Sequence, residues 1–180
     1  MHLELKDIKE GSLEQEYSCS PDEFPELMTL AEEDGPQYCQ PIMFRLRFQR
    51  IGQLVEVDGT LDAVVRLKCG RCLEVFEQTV SETFSLTFTP QPDEIECDDE
   101  VELADEDLGL ITYKDEILDL HGPLLEQLML AIPIGPLCDS KCQGLCPECG
   151  VNLNEQKCRC VRKVFNNKFT KLAGLDFTKK

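Results

Sequence analysis

The spacing of the cysteines is the feature that most constrains this chain. Eight of its eleven cysteines lie in close pairs whose members are separated by one to three residues. In chain order, the first pair is Cys69/Cys72, the second Cys138/Cys142, the third Cys146/Cys149 and the fourth Cys158/Cys160. Two such pairs supply the four ligands of a tetrahedral thiolate site from two tight turns, so the spacing predicts metal binding. Ligation by cysteine alone favours one or two zinc ions over an iron–sulfur cluster.

Four pairs can be combined into two sites in three ways. We favour the third pair with the fourth, because only residues 150–157 separate them. The first pair then meets the second across the fold. In the third pair, Pro147 and Gly150 favour a tight turn whose N–H groups point at the sulfurs. The fourth pair requires a turn, since Cys158 and Cys160 would face opposite ways in a strand.

Other uses of the thiols are less consistent with the sequence. The first residues lack the charged and apolar regions of a secretory signal, and no apolar run approaches 18 residues. A cytoplasmic location is therefore expected, where disulfides are uncommon. A thioredoxin-like site needs a βαβ context, which neither C-x-x-C pair has. No role is predicted for Cys19, Cys39 or Cys97.

Apolar alternation predicts consecutive β-strands before and after the first pair. The alternating positions are Phe44, Leu46 and Phe48; then Val55, Val57, Leu61, Ala63, Val65 and Leu67; then Phe76, Val80, Phe84, Leu86 and Phe88. Residues 51–53 are expected to form a turn. The unbroken parity of the second group predicts one long strand, with Gly59 at a bend or bulge. The first pair should then lie at the tip of a long hairpin, as in a zinc ribbon.

The remaining segments complete an α+β prediction: an antiparallel β-rich domain with one covering helix and a C-terminal, cysteine-rich zinc-binding element. The covering helix is expected at about 119–131, with Asp119 as N-cap and Pro123 in the first turn. Residues 90–107 carry ten acidic and no basic residues, which predicts a mobile loop. We expect a single compact unit, with residues 1–135 forming the β domain and residues 136–180 the zinc-binding element. Residues 11–40 are compatible with strand, loop or short helix.

Charge is distributed unevenly along the chain. The net charge is −17, yet residues 136–180 hold nine Lys/Arg and four Asp/Glu. A strongly acidic body is poorly suited to general nucleic-acid binding, because phosphate contacts need a positive surface. The basic tail either forms a docked terminal helix, with Val161, Val164, Phe165, Phe169 and Leu172 on one face, or touches RNA locally.

The segments "LKCGRCLEVF" and "LLEQLMLAIPIGPLC", followed by "CQGLCPECGVNLN" and "CRC", resemble the YceD family of large ribosomal RNA subunit accumulation proteins. The resemblance covers roughly residues 40–175, and its most specific part is "CQGLCPECGVNLN". Family members commonly end in Asp-Pro-Arg and a short apolar helix, where this chain has Asn166, Asn167 and Lys168. The resemblance implies a role in making or maintaining large-subunit (23S) ribosomal RNA in bacteria and plastids, and it implies no catalytic residues.

These observations predict a non-enzymatic zinc protein of ribosome biogenesis, whose partner is ribosomal RNA or a large-subunit ribosomal protein. Neither a membrane nor a small-molecule substrate is expected. Two alternatives from other classes remain. One is a redox-responsive zinc protein with Cys146 and Cys149 as sensors. The other is a hydrolase or nuclease with an open zinc site, although four thiolates leave no ligand position free.

Overall fold

The structure, a computed structural model, describes residues 1–8, 12–32, 35–91 and 109–160. Within these ranges the chain forms eight β-strands and two α-helices. The strands are β1 (His2–Glu4), β2 (Ser12–Cys19), β3 (Gln37–Tyr38), β4 (Ile42–Ile51), β5 (Leu54–Lys68), β6 (Val75–Pro90), β7 (Leu110–Tyr113) and β8 (Ile117–Asp119). The helices are α1 (Pro25–Glu32) and α2 (His121–Leu130). The described part of the chain is therefore β-rich, as predicted, but it contains two α-helices where the sequence predicted one covering helix.

A single large sheet carries the fold, with the strand order β2-β4-β5-β6-β7. Neighbouring strands are antiparallel except for β7, which pairs in parallel with β6. The short strand β3 pairs with β5 beyond the end of β4. The predicted antiparallel sheet is thus a mixed one, because the chain returns after β6 to add a parallel edge strand. Parallel neighbours need a long connection, and strand alternation alone does not reveal such a pairing.

The long hairpin predicted from the alternation is formed by β5 and β6. Their register runs without interruption from Val55 opposite Phe88 to Lys68 opposite Val75. Gly59 lies within this regular register, which excludes a bulge at this position. A Cβ atom at Gly59 would lie 2.3 Å from Cζ of Phe84, which shows that the glycine makes room for the aromatic ring of the neighbouring strand.

Both helices contribute to a core that is continuous with one face of the sheet. Leu124 and Leu128 of α2 are fully buried in the same apolar cluster as Phe44 of β4. The hydroxyl of Tyr38 donates a 2.7 Å hydrogen bond to the carbonyl of Leu128, which ties α2 to the sheet. α2 is shorter than the predicted 119–131 helix. Asp119 is not its N-cap residue, although its carboxylate accepts a hydrogen bond from the N–H of His121.

The start of the chain closes against the segment that leads into α2. β1 pairs with β8, and Leu120 N–H donates to the carbonyl of Met1. No described helix is long and apolar enough to cross a membrane. Two predictions fall wholly or partly outside the described residues: the terminal helix beyond residue 160, and the acidic loop from residue 92 onward. The part of that loop at residue 90 belongs to β6.

Candidate metal centres

The first pair lies at the tip of the β5–β6 hairpin, in the six residues between Lys68 and Val75. Cys69 N–H donates to the carbonyl of Glu74 at 2.8 Å, and Leu73 N–H donates back to the carbonyl of Cys69 at 3.0 Å. Leu73 adopts a left-handed conformation with φ of 63°, which reverses the chain within this short turn. The tip therefore holds Cys69 and Cys72 close together, and both are buried.

The chain that leaves α2 crosses this tip and brings the second pair to it. Gly70 N–H donates to the carbonyl of Pro136 at 2.8 Å, and Leu145 N–H donates to the carbonyl of Arg71 at 3.1 Å. The Arg71 guanidinium donates a 2.9 Å hydrogen bond to the carbonyl of Cys142. These contacts assemble a first cluster, formed by Cys69, Cys72, Cys138 and Cys142.

The sulfur spacing in the first cluster suits a tetrahedral ion. All four Sγ atoms lie within 4.8 Å of one another. The Sγ atoms of Cys69 and Cys142 are 3.8 Å apart, and those of Cys72 and Cys138 are 3.5 Å apart. A tetrahedral site with zinc–sulfur bonds of about 2.3 Å places its sulfurs about 3.8 Å from one another. The donor set and its spacing therefore fit zinc, and zinc binding by these residues stays a prediction.

The second cluster is formed by the third and fourth pairs, Cys146, Cys149, Cys158 and Cys160, again within 4.8 Å of one another. In the third pair, Gly150 N–H donates to the carbonyl of Cys146, and Gly150 has the left-handed φ of 72° that the turn needs. Residues 158–160 form no strand, so the fourth pair is free of the alternation that would separate its side chains. The two groupings are the ones that the loop lengths favoured.

In each cluster the thiols differ in acidity. Backbone N–H groups lower the pKa of Cys69 to about 6, chiefly that of Cys138 and then that of Cys72. The N–H groups of Cys149 and Glu148 likewise lower the pKa of Cys146 to about 6. By contrast, the pKa of Cys138 is raised to about 12 by its hydrogen bond with Cys72 and by burial. That of Cys160 is raised to about 12 by its hydrogen bond with Cys149 and by burial. Four sulfurs at this spacing cannot all ionise together unless a cation neutralises them.

Zinc affinity is accordingly expected to fall as the pH is lowered, because thiol ligands must lose their protons to bind. Cys138 and Cys160 hold their protons at neutral pH and release them on binding, which weakens binding by about tenfold or more for each pH unit lost. Below about pH 6, protonation of Cys69 and Cys146 should steepen the loss. Competition against a chelator of known affinity, from about pH 5.5 to pH 8, measures this slope. An affinity independent of pH would contradict thiolate ligation.

The clusters differ in exposure to solvent. In the first, Cys138 is exposed, but Cys69, Cys72 and Cys142 are buried and form a small apolar cluster of their own with Phe76, Leu137 and Leu145 around them. In the second, Cys146 is buried but Cys149 and Cys160 are exposed. The two cysteines outside the clusters that the structure describes lie elsewhere. Cys19 is buried in the main core, and Cys39 is exposed.

Several residues that shape the clusters were not identified from the sequence. Gly144 has φ of 74°, and a Cβ atom there would lie 3.0 Å from the carbonyl oxygen of Arg71, so glycine permits the close approach of the two loops. Asn152 and Asn154 direct their amides toward the hairpin tip and the first cluster. The sequence offered one signal for these two asparagines, their position in the loop between the third and fourth pairs. Asparagine is common in such loops because it favours tight turns, so this position alone did not indicate contact with a metal cluster.

The fold and the site define a β-sheet protein with one four-cysteine cluster at the tip of its longest hairpin and a second in the loop that contacts this tip. A family model described as "Large ribosomal RNA subunit accumulation protein YceD" matches residues 57–176 of the chain. The chain belongs to the YceD family, and the resemblance seen in the sequence is confirmed. No solved structure matches the chain.

Proteins of plants and of mycobacteria are similar to this chain in sequence. The "Large ribosomal RNA subunit accumulation protein YCED homolog 1, chloroplastic" of Arabidopsis thaliana is 27% identical over 157 residues, covering 75% of this chain and 48% of the relative. Its counterpart in Zea mays is 26% identical over 151 residues, covering 72% and 52%. An uncharacterised protein of Mycobacterium tuberculosis is 35% identical over 108 residues, covering 60% and 49%. The chain therefore spans about half the length of these relatives.

Proposed function

We propose that this chain is a non-enzymatic zinc protein that assists the accumulation of large-subunit (23S) ribosomal RNA as a ribosome assembly factor. The observation that carries the proposal is the pair of four-sulfur clusters within a chain of the YceD family. Family membership supports the ribosomal role, since its description and the names of the plant relatives refer to large ribosomal RNA subunit accumulation. The clusters support a structural role for metal.

The zinc ions act structurally in this proposal. Every ligand position in both clusters is a thiolate, and a catalytic zinc site normally keeps one position for water or substrate. The ions would hold Cys138 and Cys142 of the C-terminal element against Cys69 and Cys72 of the hairpin tip. The product is a rigid platform in which the long hairpin, α2 and the cysteine-rich element keep a fixed arrangement.

The docking surface that we propose is the exposed side of α1 and α2. A groove of about 400 Å³ is lined by Glu26, Thr29 and Leu30 of α1 and by Leu125 and Met129 of α2. Nearby apolar side chains face solvent, and Leu130 is 75% exposed. Exposed apolar surface ringed by charge is typical of protein interaction sites.

Charge favours a basic partner for this groove. Neither helix contains a lysine or arginine, while Glu26, Glu32 and Glu126 supply negative charge. A basic ribosomal protein of the large subunit complements this surface better than RNA, whose phosphates an acidic surface repels. We therefore propose such a protein as the direct partner, in the compartment where the ribosomes of its cell are made, the cytoplasm in a bacterium.

Affinity capture of the tagged full chain from its own cells, with and without RNase, tests this function. We expect large-subunit precursors to be enriched, and one large-subunit ribosomal protein to be retained after RNase treatment. The variant Leu130→Asp should lose that protein, whereas Ile51→Asp is a matched control because Ile51, the last residue of β4, is 57% exposed and does not line the groove. Loss of all captured material on RNase treatment would instead mean an RNA contact. Absence of any pre-ribosomal material would overturn the ribosomal role.

A redox role is a second candidate, favoured by one observation: Cys149 and Cys160 of the second cluster are exposed. Peroxide would oxidise two thiols to one disulfide, forming two water molecules and releasing the metal. Mild peroxide treatment followed by measurement of released zinc and of remaining thiols tests it. Retention of both ions and all eight thiols would exclude this function.

A further inference from the structure

The loop of residues 150–157, which joins the two halves of the second cluster, also contacts the first cluster. Asn154 makes the link. Its side-chain amide donates a hydrogen bond to Sγ of Cys142 at 3.3 Å. Its side-chain oxygen accepts a 2.7 Å hydrogen bond from the N–H of Gln143, the residue that follows Cys142. A donor at a ligand sulfur stabilises the thiolate, and such outer contacts orient the ligands of metal sites.

Asn152 fixes the orientation of Asn154. The side-chain oxygen of Asn152 accepts hydrogen bonds from the backbone N–H and the side-chain amide of Asn154, at 3.0 and 2.8 Å. The amide of Asn152 in turn donates to the Glu74 carboxylate at 2.8 Å, which anchors it to the hairpin tip. A continuous path of polar contacts therefore runs from Glu74 through Asn152 and Asn154 to Cys142. The side-chain amides of Asn152 and Asn154 each donate and accept hydrogen bonds along this path. The position of Asn154 therefore depends on the conformation of the loop that carries both residues.

The two ends of this loop are held differently. Near its start the loop is held by two backbone hydrogen bonds: Leu153 N–H donates to the carbonyl of Gly144, and Cys146 N–H donates to the carbonyl of Val151. At its end, the chain returns through Cys158 and Cys160, the last residues that the structure describes, and their sulfurs join the second cluster. An ion in the second cluster would therefore close the loop and hold Asn154 on Cys142.

We propose that Asn154 is a positioning residue that couples the two metal centres. Occupancy of the second cluster, which is the more exposed of the two, raises the metal affinity of the first cluster through the contact between Asn154 and Cys142. Coupling between two binding sites is reciprocal, so an ion in the first cluster also favours binding in the second. Metal loss then begins at the second cluster, which has two exposed cysteines to the first cluster's one, and weakens metal binding at the first. This inference rests on the proposed metal binding by both clusters.

Zinc competition on the full chain tests the role of Asn154. Removing an outer contact to a metal ligand typically weakens metal binding 10- to 100-fold, and we expect this loss at the first cluster in Asn154→Ala. Asn154→Asp keeps the side-chain size and an oxygen for the Gln143 N–H, but it removes the donor and adds a negative charge beside the thiolate. Its loss should be at least as large. Gln156→Ala is the matched control, since Gln156 is an exposed amide residue on the same loop.

A double-mutant cycle tests the coupling itself. Cys149→Ser with Cys160→Ser disables the second cluster, and the remaining affinity belongs to the first. We expect this affinity to be about 10-fold or more below that of the first cluster in the intact protein, but to fall little further when Asn154→Ala is added. Cobalt substitution supplies a spectroscopic readout, because loss of an N–H donor to a thiolate shifts the sulfur-to-cobalt charge-transfer band of the first cluster.

The outcomes separate this inference from the function on which it rests. Two bound ions in the wild-type chain, with unchanged affinity and cobalt spectrum in both Asn154 variants, would overturn the coupling and leave the metal sites intact. Additive losses in the double-mutant cycle would also overturn it. Absence of bound zinc in the wild-type chain would overturn the proposed structural metal as well. Should Asn154→Ala fail to fold, the cobalt spectrum and zinc affinity of Asn154→Asp decide the question.

Discussion

Replacing Cys69 and Cys142 with serine is expected to remove one zinc ion and to release residues 136–160 from the hairpin tip. Structural zinc contributes an apparent binding free energy of about 10 kcal/mol or more at neutral pH, and this energy is available only when the site is folded. The small apolar cluster at the tip has just three buried members, all cysteines of the first cluster. With the ion lost, little apolar burial remains there to hold the two segments together.

The loss should remain local. The main apolar core, which includes Phe44, Phe48 and Leu128, is separate from the cluster at the tip. We therefore expect hydrogen exchange to become fast in residues 136–160 and at residues 69–74, and to stay slow in β4 and β5. Elemental analysis of the purified variant should show one ion where the wild type has two. Removal of both ions with a strong chelator should reproduce the loss of protection and extend it to the second cluster.

Cys39→Ser is the matched control for this experiment, because Cys39 is exposed and belongs to neither cluster. It should keep the full metal content and the full protection pattern. The prediction would be wrong if the Cys69/Cys142 variant retained two ions, or if it lost one ion while residues 136–160 stayed protected. The second result would mean that hydrogen bonds such as that between Gly70 and Pro136 suffice to hold the tip.

Local pattern was sufficient to predict the elements that the tip depends on. The alternation of apolar and polar residues in β4, β5 and β6 indicates a sheet with one buried face, because side chains in a strand point alternately to its two faces. The grouping of the cysteine pairs followed from loop length, because residues 150–157 are too few to let the third and fourth pairs separate far. Each of these inferences used residues that are near one another in the sequence.

Elements at the edges of the sheet were harder to predict. In β2 the inward positions Leu13, Gln15 and Tyr17 are only half-buried, so the strand carries a weak apolar signal. α1 has eight residues and one buried side chain, that of Leu27. Its short apolar stripe is too brief to distinguish helix from loop. The parallel pairing of β7 with β6 depends on a long connection, and nothing in the four residues of β7 encodes it.

The contact of Asn154 with Cys142 could not be predicted for a different reason. Asparagine in a short loop usually serves its own turn, and Asn154 also bonds to neighbouring Asn152. Its contact with a sulfur of the other cluster depends on the path by which residues 136–146 cross the hairpin tip. That path is set by the tertiary structure, which the spacing rules for metal ligands do not predict.

Gly59→Ala is expected to destabilise the protein by about 1–3 kcal/mol, as is typical when a methyl group is forced into a packed site. Gly59 lies directly opposite Leu46 on one side and Phe84 on the other. An added Cβ would lie 2.3 Å from Cζ and 2.5 Å from Cε2 of Phe84, and 2.9 Å from Cδ2 of Leu46. All three distances are shorter than a normal carbon contact, so the ring must move away from the strand.

The sign of the effect should reverse when the ring is removed. Gly59 does not have a left-handed φ, so its backbone accepts alanine. Without a steric conflict, Gly→Ala stabilises by about 0.4–1 kcal/mol, because the unfolded chain loses freedom. In a Phe84→Ala background the remaining short contact is with Cδ2 of Leu46, the end of a flexible side chain that can rotate into the space left by the ring. Gly59→Ala should therefore be neutral or stabilising there. Urea unfolding of the four proteins gives the coupling free energy. Equal destabilisation in both backgrounds would show that contact with Phe84 is not the reason for glycine at this position.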